Sequence, residues 1–326
     1  MSDRSKEFTK LAPGTRLRDR YVIDGEIGKG GFATVYSARD EVIDRTVAIK
    51  VLQIASLGSD REDKERARKR FLREARVAAR ISHRSVVDIY DFGILDDKGS
   101  PFIIMEFLQG ENLYNQIYGT GPLAPEWILP NYCDVLDALG EAHQENIVHK
   151  DLKPGNIFIN LPGTRREVWK VVDFGIAHVN SASNARLTKT GFLSGTPQYL
   201  PPEYIQAQTV SPQMDVYQMA LTLAEALTGV PAVSERKPFK AAMKHVEGDL
   251  DIPEKLWNSP IGIVLTKALA ADPKQRFADG MEFADALAKV DPRGVPSFAE
   301  EEEDDDFHTR KTSKIDAGDV PKFHEH

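Results

Sequence analysis

Cysteine is the rarest residue type in this chain of 326 residues. Cys133 stands alone, so no disulfide can form within the chain, and a fold held by internal disulfides is excluded. The residue lies in an apolar pattern of helical spacing with Leu129, Tyr132 and Leu136, which favours a place in a hydrophobic core. The chain must therefore hold itself together by packing apolar side chains, for which its length is ample.

Long hydrophobic runs are also lacking. Residues 101–108 form one of the longer apolar stretches, and they fall well short of the roughly 20 residues that a membrane-spanning helix needs. Residues 1–20 are polar and charged, which does not fit a signal peptide. We therefore expect a cytoplasmic protein with no membrane span.

Strongly basic segments are missing from the part that we expect to fold. Lysine and arginine number 42 against 50 aspartate and glutamate residues, which gives a formal net charge of −8 and disfavours nucleic-acid binding. Part of the acidity is local, since residues 300–306 are an unbroken carboxylate run. We predict an acidic, disordered tail over 291–326 and a flexible N-terminus over 1–17.

Apolar periodicity changes character about a third of the way along the chain. Up to residue 108 it is mostly of the strand type, with strands over 46–50, 86–90 and 102–107 and one amphipathic helix over 60–81. Predicted helices then cover residues 113–117, 127–143, 211–228, 237–246, 259–271 and 280–290. We predict an α+β fold of two lobes, a small β-rich lobe (18–108) and a larger helical lobe (109–290), with a cleft between them.

Two motifs, at residues 149–156 and 172–175, follow the predicted helix over 127–143. They hold an acid able to accept a proton, Asp151, with Lys153 beside it, and two oxygen donors suited to Mg²⁺, Asn156 and Asp173. Phosphoryl transfer from ATP needs such a set, a base for the incoming hydroxyl and cations held against the phosphates. An Asp-Phe-Gly triplet alone would arise often by chance, but two coupled motifs flanked by apolar strands would not.

A glycine-rich turn lies between two predicted strands near the N-terminus. Its glycines let backbone N–H groups approach phosphates, although a turn of this kind on its own equally fits a structural hairpin. No Gly-Lys-Ser/Thr follows, so the turn is not a Walker loop. Its residues are Ile27, Gly28, Lys29, Gly30, Gly31, Phe32, Ala33, Thr34 and Val35.

Two charged residues interrupt the apolar pattern of the first lobe. Lys50 ends an apolar strand, and Glu74 lies beside the apolar face of the helix over 60–81. Each alone fits a solvated side chain, but the position of Glu74 would also let it turn inward towards Lys50.

In this order the motifs resemble the protein kinase family over residues 18–290, and the match continues into the helical lobe through Pro201-Pro202-Glu203, Asp215 and Arg276. Within the family the chain is most similar to the eukaryotic-like serine/threonine kinases of bacteria, by Ile176-Ala177 and the segment 194–203. A lysine at the position of Lys153, close to Asp151, is typical of serine/threonine kinases. The resemblance implies a two-lobed, protein-kinase-like fold.

The resemblance also implies a role for each motif residue. Asp151 would accept the proton of the substrate hydroxyl, and Lys153 would neutralise charge on the transferring phosphoryl group. Asn156 and Asp173 would hold Mg²⁺. Lys50, paired with Glu74, would bind the phosphates of ATP. Thr196 is expected to contact Asp151 and Lys153 from a loop.

A nucleotide-binding set follows in the same way. The turn from Gly28 to Val35 would cover the phosphates. Val35 and Ala48 from above and Phe158 from below would enclose the adenine. Backbone groups from Glu106 to Leu108 would bind the adenine edge, with Met105 as the gatekeeper behind it.

Control and stability are implied by further positions. Thr188 and Thr190 lie where related bacterial kinases carry phosphothreonines, although they could simply be exposed threonines. Lys150 replaces the usual arginine, which leaves open how strictly activity depends on such phosphorylation. Glu203 and Arg276 are expected to form a buried ion pair.

The tail offers a second set of candidate phosphorylation sites. Thr309, Thr312 and Ser313 stand beside basic residues, and autophosphorylation there would create a docking site for a phosphothreonine-binding partner; a solvated, unmodified end is the alternative.

The sequence therefore predicts a serine/threonine protein kinase that uses ATP and Mg²⁺ and acts on proteins, including itself. The alternative is a pseudokinase, a scaffold or nucleotide-binding interaction module with the fold and little chemistry. The substrate, the upstream signal and the oligomeric state do not follow from the residues.

Overall fold

The computed structural model describes residues 10–30, 33–53, 61–95, 100–174 and 196–299. Within helix α1, the side chains of Arg61, Asp63, Arg70 and Glu74 are not described. Thr188, Thr190 and the residues of the tail from 300 onward lie outside the described residues, as do Gly31 and Phe32 of the glycine-rich turn.

The first lobe is an antiparallel sheet with one long helix. Six strands follow the order β1-β2-β3-β4-β6-β5, and α1 (Arg61–Ala78) packs beside them. The strands are β1 (Arg16–Leu17), β2 (Tyr21–Lys29), β3 (Ala33–Asp40), β4 (Arg45–Leu52), β5 (Ile89–Ile94) and β6 (Pro101–Glu106).

The two faces of this sheet pack against different parts of the lobe, because successive side chains of a strand point to opposite sides. On β4, Val47, Ile49 and Val51 point to one side and build a buried core that also holds Tyr36 and Phe102. The other face receives α1, since Phe71 and Ala75 pack against Ile103. Ala48 and Lys50 belong to this second face, and the strand pattern thereby directs them away from the first core.

The second lobe is helical and is built around a buried central helix. In α5 (Pro212–Thr228) every residue from Met214 to Thr228 is buried, so this helix is the hydrophobic centre of the lobe. Its helices are α2 (Leu113–Thr120), α3 (Pro125–Gln144), α4 (Pro202–Ala207), α5 (Pro212–Thr228), α6 (Pro238–Glu247), α7 (Glu254–Trp257), α8 (Pro260–Ala268) and α9 (Gly280–Leu287).

A small sheet joins the two lobes at the level of the predicted site. Its strands run in the order β7-β8-β9, with β7 at Gly110–Asn112, β8 at Ile157–Asn160 and β9 at Val168–Val171. Val171 donates its N–H to the carbonyl of Ser85 and accepts from the N–H of Val87, which fastens β9 to the chain of the first lobe. The predicted α+β architecture of two lobes is confirmed.

Two boundaries of the folded part differ from the predictions. Residues 1–17 were expected to be flexible, but Leu11 and Leu17 are buried in the first lobe's core and β1 pairs with β2. The predicted tail from residue 291 begins later, because Val295 is buried and Phe298 packs against the helical core. Apolar side chains placed just outside the regular periodicity extend the folded part at both ends.

The strand predicted over residues 86–90 is also displaced. The strand itself is β5, and the buried Val86 forms only an isolated bridge with Val171. A buried, extended segment carries the same apolar signal as a strand. In the described part of the chain, no helix is long and apolar enough to span a bilayer.

Candidate active site

Asp215 anchors the loop that carries the first motif. It lies in the first turn of α5 with no exposed surface, and its carboxylate accepts the backbone N–H groups of His149 (2.7 Å) and Lys150 (2.8 Å). Lys150 has a φ of 73°, a left-handed conformation that costs free energy for a residue with a side chain. The two hydrogen bonds to Asp215 offset that cost and fix the backbone next to Asp151.

A histidine on α3 completes the environment of Asp215. His143 accepts the backbone N–H of Gly280 at Nδ1 (3.2 Å), so its proton lies on Nε2, which donates to the Asp215 carboxylate (3.0 Å). Burial would raise the pKa of Asp215, but the hydrogen bonds from the His143 ring and from the backbone of His149 outweigh it and lower that pKa. Asp215 therefore stays ionised, and helices α3, α5 and α9 meet at one polar contact.

The first motif forms a compact cluster around Asp151. Lys153 Nζ lies 2.8 Å from Asp151 Oδ2 and 3.3 Å from the hydroxyl of Thr196. Asn156 donates from Nδ2 to the Asp151 carbonyl (2.6 Å) and towards Oδ2 (3.2 Å). Asp151 keeps a mostly buried side chain, 14% exposed, with a cation and an amide on one of its oxygens.

Asp173 faces Lys50 across the boundary between the lobes. Lys50 Nζ lies 2.5 Å from Asp173 Oδ1, and Asp173 has a left-handed backbone with a φ of 65°. Burial would raise the pKa of Asp173, but the charge and hydrogen bond of Lys50, with a smaller contribution from the charge of Lys153, bring it below its usual value. The predicted pair of Lys50 with Glu74 stays a prediction, because the Glu74 side chain is not described.

His149 ties the second motif to the first. Its Nδ1 accepts the N–H of Asp151 (3.3 Å), so Nε2 carries the proton and donates to the carbonyl of Val172 (2.9 Å). The ring lies 4.8 Å from that of Phe174, which is buried. Val172 in turn donates its N–H to the carbonyl of Asn156. Asp173 is thereby held beside the loop that carries Asp151.

The predicted adenine-binding residues lie on one face of the first lobe. Val35 pairs with Lys50 across strands β3 and β4, and Met105 pairs with Ala48 across β4 and β6, so all four point to the same side of the sheet. Phe158 lies on β8 and is half-buried. The contact of Lys50 with Asp173 links this face to the loop that follows β9.

The segment that would bind the adenine edge is partly committed inside the protein. Glu106 donates its backbone N–H to the carbonyl of Asp88 (2.9 Å), so that group is not available to a ligand. Contacts to a base would therefore fall to the other backbone groups up to Leu108. In the glycine-rich turn, Gly30 donates its N–H to the carbonyl of Ala33 (2.8 Å), which closes the described part of the hairpin.

Residues 21–291 match the protein kinase domain family. The chain belongs to the protein kinase family. A curated relative, the probable serine/threonine-protein kinase PknB of Corynebacterium glutamicum, is 33% identical over 317 residues, covering 92% of this chain and 48% of the relative. The serine/threonine-protein kinase PknB of Mycolicibacterium smegmatis is 35% identical over 285 residues, covering 86% and 44%. The chain thus spans about half the length of the curated relatives that it matches.

Solved structures agree with this assignment. The kinase domain of PknI from Mycobacterium tuberculosis aligns with a TM-score of 0.66 at 27% identity, covering 88% of this chain and all of that domain. The domain is therefore of the bacterial serine/threonine kinase type, and the predicted resemblance is confirmed.

One ion pair of the kinase domain was not predicted. Lys170 Nζ lies 2.9 Å from Glu106 Oε2 and donates to the carbonyl of Val86 (3.1 Å), which joins β9 to the segment between the lobes. A single lysine in the apolar run of β9 was the available signal. Its partner could not be named, because the two residues lie far apart in sequence.

Two buried polar residues of α5 were also missed. Gln218 accepts the N–H of Leu152 (3.1 Å) and donates to the carbonyls of Lys150 (3.2 Å) and Tyr199 (3.1 Å). Glu225 accepts hydroxyl donors from Tyr118 (2.8 Å) and from Tyr199 (2.5 Å). In the sequence these two residues look like irregularities in an apolar helix, and only the fold reveals their partners.

The donor set at the two motifs fits a magnesium ion. The lowered pKa of Asp173 leaves an anionic carboxylate, which is the ligand type that a hard cation prefers. Because Asn156 commits its Nδ2 to Asp151, its amide oxygen points the other way and is the atom left for coordination. Among the described residues, no group of three or more His, Cys, Asp or Glu side chains could hold a metal ion.

Proposed function

We propose that this chain transfers the terminal phosphoryl group of ATP to serine and threonine hydroxyls of proteins. The observation that carries the proposal is the meeting of Asp151, Lys153 and Asn156 with the Lys50–Asp173 pair at the boundary between the lobes. Members of the protein kinase family act on proteins and use ATP and Mg²⁺ in general, and the names of the curated relatives support the serine/threonine class.

Asp151 would act on the acceptor. Its Oδ2 is engaged by Lys153 and Asn156, so the other carboxylate oxygen is the one directed at a hydroxyl. Accepting that proton as the new P–O bond forms contributes typically 10²–10⁴-fold to a rate. Lys153 would stay beside the transferring group as a positive charge, and its contact with Thr196 keeps its long side chain in place.

Lys50 and Asp173 would act on the nucleotide side. When bound, Mg²⁺ would neutralise charge on the phosphates, with Asn156 and Asp173 as its protein ligands. Lys50 would exchange part of its contact with Asp173 for phosphate oxygens, since its ammonium already lies at that carboxylate. Val35 and Ala48 on one side and Phe158 on the other would exclude water from the base.

A labelling assay tests this proposal. The full chain and its Asp151→Asn variant are incubated with radiolabelled ATP and Mg²⁺, with a generic basic protein and the chain itself as acceptors. We expect Asp151→Asn to lower labelling by about 10²-fold or more, because it removes the base and keeps the shape of the side chain. Nucleotide binding, measured by calorimetry, should persist.

Asp134→Asn is the matched control. Asp134 lies on the surface of α3 in an ion pair with Arg84, so the same chemical change there should leave labelling unaltered. Equal labelling by wild type and Asp151→Asn would instead identify a contaminant or a scaffold without activity.

Two regulatory features belong to the same proposal. Their residues lie outside the described part of the chain, so these features are argued from the sequence alone. Thr188 and Thr190, which lie in the sequence between the second motif and Thr196, would be phosphorylated. Thr309, Thr312 and Ser313 would be modified to recruit a phosphothreonine-binding partner. Mass spectrometry after incubation with ATP and Mg²⁺ tests both, with Asp151→Asn as the control that should acquire no phosphate. A modified loop beside an unmodified tail would refute the docking role alone.

A further inference from the structure

The segment from Thr196 to Leu200, called here the acceptor-side segment, borders the catalytic cluster. The hydroxyl of Thr196 lies 3.3 Å from Lys153 Nζ, and the same nitrogen lies 2.8 Å from Asp151. A polypeptide that brings a hydroxyl to Asp151 therefore comes close to this segment. Its position decides where the acceptor chain is placed.

The helical lobe holds this segment from several sides. Gln218 of α5 donates to the carbonyl of Tyr199, and Glu225 accepts its hydroxyl. Gln198 reaches the carbonyl of Glu235 at 3.5 Å, just before α6. The remaining contact comes from α6 itself, through His245.

His245 is a buried histidine with two defined partners. It is 1% exposed, its Nε2 lies 3.1 Å from the carbonyl of Pro197, and its Nδ1 lies 3.0 Å from the hydroxyl of Tyr217. Burial lowers the pKa of His245 to about 4, so the ring is neutral near pH 7 and carries one proton. A carbonyl can only accept, so that proton lies on Nε2 and points at Pro197, while Tyr217 donates to Nδ1.

Tyr217 is itself fixed, which makes the arrangement rigid. It is buried on α5, and the Arg276 guanidinium lies 4.5 Å from the centre of its ring. Arg276 is held by both carboxylate oxygens of Glu203 at 2.8 Å. A continuous set of contacts thus runs from Glu203 through Arg276, Tyr217 and His245 to the backbone of the acceptor-side segment.

We propose that His245 is a positioning residue for the acceptor: it holds the Pro197 carbonyl, and thereby the acceptor-side segment, in the place against which a substrate polypeptide binds. The role rests on the proposed kinase function. His245 has no contact with Lys50, Asp151 or Asp173. Lys153 would keep its ion pair with Asp151 even if its contact with Thr196 were lost, so nucleotide binding and the handling of the phosphates do not depend on His245.

Three substitutions separate the two bonds of the ring. In His245→Gln the side-chain nitrogen takes about the place of Nε2 and can still donate to Pro197. In His245→Asn the side-chain oxygen takes about the place of Nδ1 and can accept from Tyr217, but nothing reaches Pro197. His245→Ala removes both bonds.

The readouts are the KM for a generic basic protein, the KM for ATP, and the rate of ATP hydrolysis without a protein acceptor. We expect His245→Ala and His245→Asn to raise the acceptor KM roughly tenfold, with the KM for ATP and the hydrolysis rate within about twofold of wild type. His245→Gln should restore the acceptor KM.

Tyr132→Phe is the matched control. It removes a buried hydroxyl that donates to the carbonyl of Met219 at 2.6 Å in the same lobe, away from the acceptor-side segment. It should lower stability and leave the acceptor KM unchanged. If the three His245 variants behave alike, or if hydrolysis without acceptor falls together with protein labelling, His245 only supports the fold and the proposal is overturned.

Hydrogen exchange separates this inference from the proposed function. In the full chain, His245→Ala and His245→Asn should speed exchange over residues 196–200, and His245→Gln should not, whether or not the chain is active. A wild type that neither labels protein nor hydrolyses ATP would refute the kinase activity and with it the acceptor role. Unchanged exchange in His245→Ala would refute the positioning by itself.

Discussion

Arg276 and Glu203 meet inside the helical lobe, where charges are costly unless they are paired. The Arg276 side chain has no exposed surface and also donates to the carbonyls of Ala270 and Gln213. Glu203→Gln would keep the shape and leave the guanidinium charge uncompensated. We expect it to lower the free energy of unfolding by about 3–5 kcal/mol, measured by urea denaturation.

An exposed pair provides the comparison for this change. Arg293 and Asp291 lie 2.7 Å apart on the surface, so Arg293→Gln should leave the unfolding midpoint unaltered. Equal losses in the two variants would mean that burial does not decide the value of the Glu203 contact.

The neutral ring of His245 predicts a pH dependence of stability. The usual pKa of 6.5 is lowered to about 4 by burial. Between these values the unfolded chain binds a proton that the folded chain does not, so folding becomes less favourable as the pH falls from 6.5 to 4. The ring faces the Tyr217 hydroxyl and the backbone of Pro197 and Gln198, and none of these groups titrates in this range.

The variant His245→Gln isolates this effect, because all other ionisable groups are shared. Relative to His245→Gln, wild type should lose up to about 3 kcal/mol of unfolding free energy as the pH falls through this window. Above pH ~7.5 the difference between the two proteins should not change with pH. The measurement is denaturation with urea at a series of pH values. A difference that stays constant with pH would contradict a neutral, buried His245.

At the scale of elements, the packing of α9 on α3 depends on glycine. A Cβ on Gly280 would lie 2.4 Å from the carbonyl oxygen of Leu136 and 2.7 Å from the nitrogen of Gly140, so α9 could not pack as closely on α3. Gly280→Ala should therefore cost about 1–3 kcal/mol of stability, measured by thermal unfolding. Kinase activity should fall as well, since the N–H of Gly280 orients His143 towards Asp215.

Gly119 on α2 is the control for this substitution. A Cβ there would meet nothing within 4 Å, so Gly119→Ala should stabilise the helix by about 0.5–1 kcal/mol. Stability changes of opposite sign in Gly280→Ala and Gly119→Ala would show that the effect comes from packing. Destabilisation by both would contradict that explanation.

Elements with strong periodicity were predicted well from the sequence. The helix predicted over 211–228 is α5 at Pro212–Thr228, and that over 280–290 is α9 at Gly280–Leu287. Asp151 and Asn156 were named from their motif, and the structure brings them into contact, while their catalytic and metal-binding roles stay predictions.

Contacts between distant residues did not follow from local patterns, and the distant pairs that were predicted, Glu203 with Arg276 and Thr196 with Lys153, came from the family resemblance. Pro197 and His245 are 48 positions apart, and each side chain alone carries no signal of its partner. The same holds for Glu106 and Lys170. A local pattern fixes which residues are buried, whereas the pairing of buried polar groups is decided by how the elements pack.

At the scale of the whole molecule, the folded unit begins before the family match does. Leu11 and Leu17 are each 6% exposed in the core of the first lobe, whereas the match starts at residue 21. A chain that begins at residue 18 should be less stable than one that begins at residue 10, by about 1.5–3 kcal/mol for each leucine lost. Thermal unfolding of the two chains measures this, and equal midpoints would contradict the packing of these leucines.

Gln218 has a consequence for how the molecule opens. One amide side chain bonds to Lys150 and Leu152 of the loop that carries Asp151, and to Tyr199 of the acceptor-side segment. If either stretch moves away from α5, it releases the Gln218 side chain that also holds the other stretch. Fluctuations that expose these two stretches should therefore be cooperative. An acceptor that reduces the motion of one stretch should also reduce the motion of the other.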